Sequence, residues 1–259
     1  MSQISANKTP VIKVDELVAG YGEDIILNNI SFDVFEGEIF VILGGSGCGK
    51  STLLKLLVGL ITPKAGGITL NGYQVSDEAN LQKALRQCGI LFQSGALFGS
   101  MTLAENVALP MHEYTDLPDD YIETLVRIKL AQVNLSGYEN HLPAELSGGM
   151  KKRAGLARAM ALNPKVLFFD EPSAGLDPIS SAELDQLILH INRTLGTTMV
   201  IVTHELDSIF TVASRVIMLD KKVKGIIAEG NPHFLRDKSQ NKFVRQFFNR
   251  QAVLEETTV

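Results

Sequence analysis

The chain has 259 residues, 45% of them apolar and 20% charged, and a net charge of −5. That is ordinary globular composition in a chain long enough to bury a core without cross-links. The acidic balance, with Lys and Arg dispersed along the chain, argues against a nucleic-acid binder, and the apolar runs fall far short of the ~20 residues a membrane helix needs.

The polar N-terminus (residues 1–10) is expected to fray. Residues 11–17 and 29–35 alternate apolar and polar side chains, which predicts two half-buried strands. Gly37-Glu38 turns the chain into the all-apolar run 39–43, suited to a strand buried on both faces. Gly44-Gly45-Ser46-Gly47-Cys48-Gly49-Lys50-Ser51 follows and fits G-x-x-x-x-G-K-[ST]. Glycines let such a backbone curl until several N–H groups face phosphate oxygens, and the next helix adds its positive dipole end. Lys50 can reach the β- and γ-phosphates, Ser51 can ligate Mg²⁺, and Thr52 opens the helix beside them. This motif alone leaves kinase, GTPase, motor and transporter ATPase open.

The spacing predicts a helix over 50–60, ended by Pro63 and Gly66-Gly67, and a strand at 68–70 entering a turn at Asn71-Gly72. Residues 94–161 are mainly helical, with loops at Pro110 and 115–118, and are expected to form an inserted lobe. Strand 166–169 runs into Asp170-Glu171-Pro172. A carboxylate at that strand end lies near the phosphate loop of a parallel sheet: Asp170 would hold Mg²⁺ and Glu171 would orient and polarise the attacking water. A helix over 180–195, a strand at 198–202 running into Thr203-His204, and a strand at 216–219 complete an α/β alternation. Domain limits of 11–235 and 236–259 are expected. In the tail, Phe243, Val244, Phe247 and Phe248 form one helical stripe, to be packed either on a neighbouring subunit or on its own domain; residues 255–259 are expected to be disordered. Cys48 and Cys88 show no metal or redox spacing and read as reduced thiols. Since Cys48 lies inside the phosphate loop, its alkylation is expected to block activity, with ATP protecting.

Leu146-Ser147-Gly148-Gly149-Met150, followed by the basic helix from Lys151, stands just ahead of the acidic strand. In that order the segment resembles the signature of ABC ATPases, and the likeness extends over nearly the whole chain. Tyr21 matches the adenine-stacking aromatic, Gln93 the glutamine of the Q-loop, Ser173-Ala174-Gly175-Leu176-Asp177 the D-loop, and His204 the switch histidine. His112, His141, His190 and His233 lack such a setting and read as surface groups. The resemblance implies a P-loop NTPase (RecA-like) core with a parallel sheet, an N-terminal antiparallel β subdomain and an inserted helical subdomain. It implies ATP bound with Mg²⁺ by Tyr21, the 44–52 loop and Gln93, the metal being held by Ser51, Gln93 and Asp170. Catalysis would rest on Lys50, Glu171 and His204. It also implies a homodimer with ATP sandwiched between subunits: Ser147, Gly148 and Gly149 would meet the γ-phosphate in trans, and Asp177 would cross the interface. Met150 stands where the family commonly has Gln; it cannot donate a hydrogen bond, so a ribose contact is lost.

The strings Phe92-Gln93-Ser94-Gly95-Ala96-Leu97-Phe98 and Met101-Thr102-Leu103-Ala104-Glu105-Asn106-Val107, with the signature ending in Met150, most resemble the ATPases of Mce-associated (Mla-type) phospholipid transporters. That implies a peripheral subunit on the cytoplasmic side of the inner membrane. Its partners would be an integral membrane permease docking near residues 93–101, a periplasmic Mce-domain protein and a cytoplasmic STAS-domain subunit, with no nucleic acid. Ala96-Leu97-Phe98 is either the docking surface or lobe core. An ABC ATPase for another cargo stays open. So does a soluble one acting on nucleic acid or ribosomes, although no coiled-coil insertion, second cassette or basic arm is visible.

Overall fold

The structure is a computed structural model and describes residues 9–251; the expectations for the first residues and for 255–259 lie outside them. Strands β1 (Pro10–Tyr21) and β2 (Asp24–Phe35) pair as an antiparallel hairpin. β3 (Ile39–Gly44) leads into helix α1 (Lys50–Leu57), followed by β4 (Ala65–Leu70), β5 (Tyr73–Gln74), α2 (Glu78–Leu85) and β6 (Cys88–Leu91). The inserted lobe holds α3 (Leu103–Tyr114), α4 (Asp119–Gln132), a 3₁₀ turn (Pro143–Glu145) and α5 (Gly148–Ala159). The chain then runs through β7 (Val166–Asp170), α6 (Pro178–Leu195), β8 (Thr198–Val202), α7 (Leu206–Val212), β9 (Arg215–Asp220), β10 (Gly225–Gly230), α8 (Pro232–Lys238) and α9 (Lys242–Phe248).

Two sheets result. One is antiparallel, in the order β2-β1-β4-β5; the other has the order β10-β9-β3-β8-β7-β6 and is parallel except for β10. The all-apolar β3 is central and fully buried because both its faces pack: Phe40 and Ile42 join the core beneath the antiparallel sheet, while Ile39, Val41 and Leu43 join the core of the helical lobe. Register fixes the functional edge. Asp170 is opposite Val202, Ile42 is opposite Val202 from the other side, and Gly44 is opposite Leu219. The carboxyl ends of β3, β7 and β8 are therefore level, and the loops that leave them share one rim of the sheet.

Two expectations change and one open alternative is resolved. Helix α1 stops at Leu57, not residue 60, because Gly59 adopts φ 68° and two reversed bonds close the end, Gly59 N–H to Leu56 O and Leu60 N–H to Lys55 O. Pro110 lies inside α3, where a loop was expected. A proline costs a helix ~3 kcal/mol. The buried Val107, Ala108 and Met111 around it, and the Thr102–Glu105 capping box, hold the helix regardless. The tail stripe packs on its own domain: Val244 and Phe248 are buried, Phe248 lies 5.8 Å from the Phe210 ring, and Phe243 and Phe247 lean on the same core. Helix α8 spans the expected boundary at 235/236.

Asp185 of α6 is buried, and burial pushes its carboxyl up to about 6, against a hydrogen bond from Ser208. The folded state then binds a proton more tightly than the unfolded state, so stability falls as pH rises from about 4 to about 6. About two pH units correspond to roughly 3 kcal/mol. Asp185→Asn is expected to raise the unfolding temperature at pH 7.5 and to leave it unchanged at pH 4; thermal melts at the two pH values check this.

Candidate functional site

The phosphate loop leaves β3 at Gly44, whose φ of 150° and close surroundings admit no side chain: a Cβ there would lie 2.4 Å from the Leu219 carbonyl oxygen. Gly49, at φ 102°, caps α1, and a Cβ on it would strike Leu27 of β2 at 2.7 Å. These positions are glycine because the loop is pressed between β9 and the hairpin. Lys50 folds back over the loop, its Nζ donating to the carbonyls of Gly44 at 2.9 Å and Gly45 at 3.2 Å. Ser51 is exposed and Thr52 is buried at the start of α1. Tyr21 is half exposed at the hairpin tip, on strand β1, whose partner β2 packs against Gly49.

Cys48 overturns one expectation. Its thiol is buried among the core under the antiparallel sheet, and burial pushes it up despite the nearby Lys50 charge. Burial pushes the Cys88 thiol up to about 12. Neither offers a ready thiolate, so selective alkylation of the loop has no basis in the structure. The Cys48 N–H bonds to the Gly45 carbonyl of the loop at 3.4 Å.

At the end of β7, burial raises the Asp170 carboxyl and the Glu171 charge raises it further, opposed by Lys55, Lys152 and Lys50. Glu171 takes φ 46°, a left-handed conformation that costs a side-chain-bearing residue ~1–3 kcal/mol and is kept where the surroundings dictate it. Its N–H bonds to the Val202 carbonyl at 2.8 Å. One carboxylate oxygen, Oε1, lies 2.9 Å from Nδ1 of His204, while Oε2 is buried without a protein partner. Glu171 is mostly shielded and His204 mostly exposed. The structure thus brings Glu171 and His204 into contact and puts Asp170 near Lys50.

The donor set suits Mg²⁺. Ser51, Asp170 and Gln93 offer a hydroxyl, a carboxylate and an amide oxygen, and among the described residues no group of three or more His, Cys, Asp or Glu could cage a metal. Mg²⁺ keeps waters and phosphate oxygens and needs only one or two protein carboxylates.

The signature segment is presented differently. Ser147 caps α5, its Oγ accepting from Met150 N–H at 3.2 Å, and Ser147 and Gly148 are exposed. Met150 leans on the lobe core. Asp177 is already engaged: it caps α6 through Ile179 and Ser180 N–H groups, both at 3.0 Å, and the Ser180 hydroxyl donates at 2.6 Å and holds the carboxyl below its usual range. Ala96-Leu97-Phe98 divides between the two readings offered for it: Leu97 packs on the lobe core, whereas Phe98 is half exposed under the Arg158 guanidinium at 5.8 Å. His112, His190 and His233 are exposed; His141 is half buried beside the Tyr138 ring at 4.9 Å. Sequence reasoning missed Lys152, a buried cation whose signal was a lysine amid the small residues Ala154, Gly155 and Ala157.

Residues 27–174 match the model of the family described as ABC transporter. Over 244 residues the chain is 41% identical to the probable ribonucleotide transport ATP-binding protein mkl of Mycobacterium tuberculosis, covering 93% of this chain and 67% of that one. It is 40% identical over 245 residues to the intermembrane phospholipid transport system ATP-binding protein MlaF of Haemophilus influenzae, covering 93% and 91%. The fold superposes with a TM-score of 0.76, at 30% identity, on the ATP-binding cassette MJ0796 in a dimeric post-hydrolysis state bound to ADP and Pi, covering 85% of this chain and 98% of that one.

Proposed function

Because the chain belongs to the ABC transporter family, as its ATP-hydrolysing subunit, we propose that it powers a membrane permease that moves phospholipid between the inner and outer membranes. The observation that carries the cargo is the 40% identity to a phospholipid-transport subunit over 91% of that protein's length. The longer mycobacterial relative, named for ribonucleotide transport, favours a second cargo at 41% identity, and the test below separates them.

In this reading the 44–52 loop and Tyr21 hold the nucleotide, and Ser51, Asp170 and Gln93 would hold Mg²⁺, which would supply positive charge to the phosphates. Glu171 accepts the proton of the attacking water and His204 orients it beside the γ-phosphate. Lys50 supplies the near-side cation. The far side of the γ-phosphate needs donors, and the exposed Ser147 hydroxyl and Gly148 and Gly149 N–H groups of a second copy suit that task. ATP is then the glue of a homodimer, as the dimeric neighbour supports. The permease would dock near residues 93–101, beside the open groove of about 460 Å³ lined by Phe92, Tyr114, Pro110, Arg86 and Arg158, where Phe92 and Tyr114 remain exposed. Attachment at the cytoplasmic face would run through that partner; among the described residues no helix is long and apolar enough to cross a membrane. An Mce-domain protein and a STAS-domain subunit would complete the assembly.

Purification of the tagged chain from its native membrane, with lipid extraction and ATP-dependent transfer between labelled vesicles, tests this. Co-purified permease, bound phospholipid and ATP-dependent transfer are expected. A complex that transports ribonucleotide and carries no phospholipid would overturn the cargo.

A further inference from the structure

Helix α5 is fastened to the segment that follows β6 at three places. Lys152 Nζ donates to the Gln93 carbonyl. A Cβ on Gly155 would lie 2.9 Å from the Gly95 carbonyl oxygen, so helix and loop backbones touch. Arg158 donates to the carbonyls of Gly95 at 3.1 Å and Ala96 at 2.8 Å. The main-chain oxygens of 93, 95 and 96 thus all end on the helix that Ser147 caps.

Lys152 also reaches elsewhere. Its Nζ donates to the Glu171 carbonyl at 3.3 Å. Among the described residues no other side chain hydrogen-bonds to both the Gln93 loop and the Glu171 turn. Its residue is only 5% exposed, and burial lowers its ammonium against the pull of Asp170 and Glu171. Burying a cation to serve two carbonyls is costly unless each bond is used. The use is visible at Glu171. Its N–H is pinned by β8 through Val202 and its carbonyl by Lys152, so a left-handed backbone is held from two sides with the carboxylate on His204.

We propose that Lys152 is a positioning residue: it ties the Glu171 backbone to the signature helix and the Gln93 loop, so that a displacement of either is felt at the catalytic carboxylate. This rests on the assignment of Glu171 as the group that activates water. In the full chain, Lys152→Met is expected to lower kcat about 10- to 100-fold, the usual cost of a small misplacement of a reacting group, with nucleotide Kd changed less than about twofold. Lys152→Arg, which can still donate to both carbonyls, should recover most of the loss. Lys152→Gln, able to serve one carbonyl, should fall between and covers the case in which the Met variant does not fold. In a Glu171→Gln background, Lys152→Met should lower single-turnover hydrolysis by no more than about twofold, because its effect passes through a group already removed. A kcat within twofold of wild type in both the Met and Gln variants overturns the proposal. So does a parallel rise in Kd, or two losses that multiply. If Glu171→Gln alone keeps normal turnover, it is the assignment of Glu171 that fails instead.

Discussion

Glu171→Gln is expected to bind ATP as the wild type does and to hydrolyse it roughly 100- to 10,000-fold more slowly, the range for loss of a positioned general base. The change removes the proton acceptor and keeps the shape. Glutamine still fills the mostly shielded site and still bonds to His204 Nδ1, since either of its amide atoms can face that nitrogen. The backbone anchors at Val202 and Lys152 do not involve the side chain and are left intact. Bound ATP therefore persists, and with it the subunit contact that the nucleotide makes. Turnover assays should show the loss. Size-exclusion chromatography in ATP and Mg²⁺ should show a dimer that wild type only samples. Near-normal turnover would remove Glu171 from the chemistry, and a monomer in saturating ATP would refute the sandwich.

Lys50→Ala should weaken ATP binding by roughly 10- to 150-fold, the equivalent of about 1.5–3 kcal/mol for a charge-assisted hydrogen bond. The fold should survive. Lys50 bonds only to the Gly44 and Gly45 carbonyls of its own loop, and α1 is held by the buried Leu53, Leu54, Leu56 and Leu57. A fluorescent-nucleotide titration with a thermal melt separates the two effects; intact affinity would contradict the role given to Lys50.

Much of the site is legible in the sequence because its chemistry is written in contiguous strings. The loop at 44–51, the Asp170-Glu171 pair and His204 each follow an apolar strand, and parallel pairing of those strands was enough to bring them to one rim. What was not legible is the identity of side chains whose partners are backbone atoms far along the chain. Nothing near Lys152 in sequence announces carbonyls at 93 and 171. The same holds for Cys48, whose place in the loop suggested an accessible thiol; only the packing of β2 and α1 shows that it turns inward. Asp177 was matched to an interface motif, yet its Asp-Pro-Ile-Ser setting is also a strong helix start, and the cap is what the structure displays. Among the elements, β10 escaped because its Gly-Ile-Ile-Ala-Glu-Gly run is short and Gly-flanked. Helix α2 had a readable start in the Asp77 cap, but its eight residues bury only Ala84 completely.

The level strand ends have a consequence for how the protein matures. Residues 44, 93, 171 and 204 lie at or just beyond the ends of β3, β6, β7 and β8, which share one rim only after strands far apart in the chain have paired side by side. A one-residue slip of β7 against β8 would turn Asp170 to the other face. Such distant pairings close late, since loop entropy must be overcome before they are rewarded. A half-assembled chain lacks the full set of rim groups, and ATP, by binding the native state in preference, adds RT ln(1 + [ATP]/Kd) to its stability. The fuel thereby acts as a selective ligand for correctly registered molecules, and its loss lowers the resistance of the chain to unfolding at the same moment as it stops turnover.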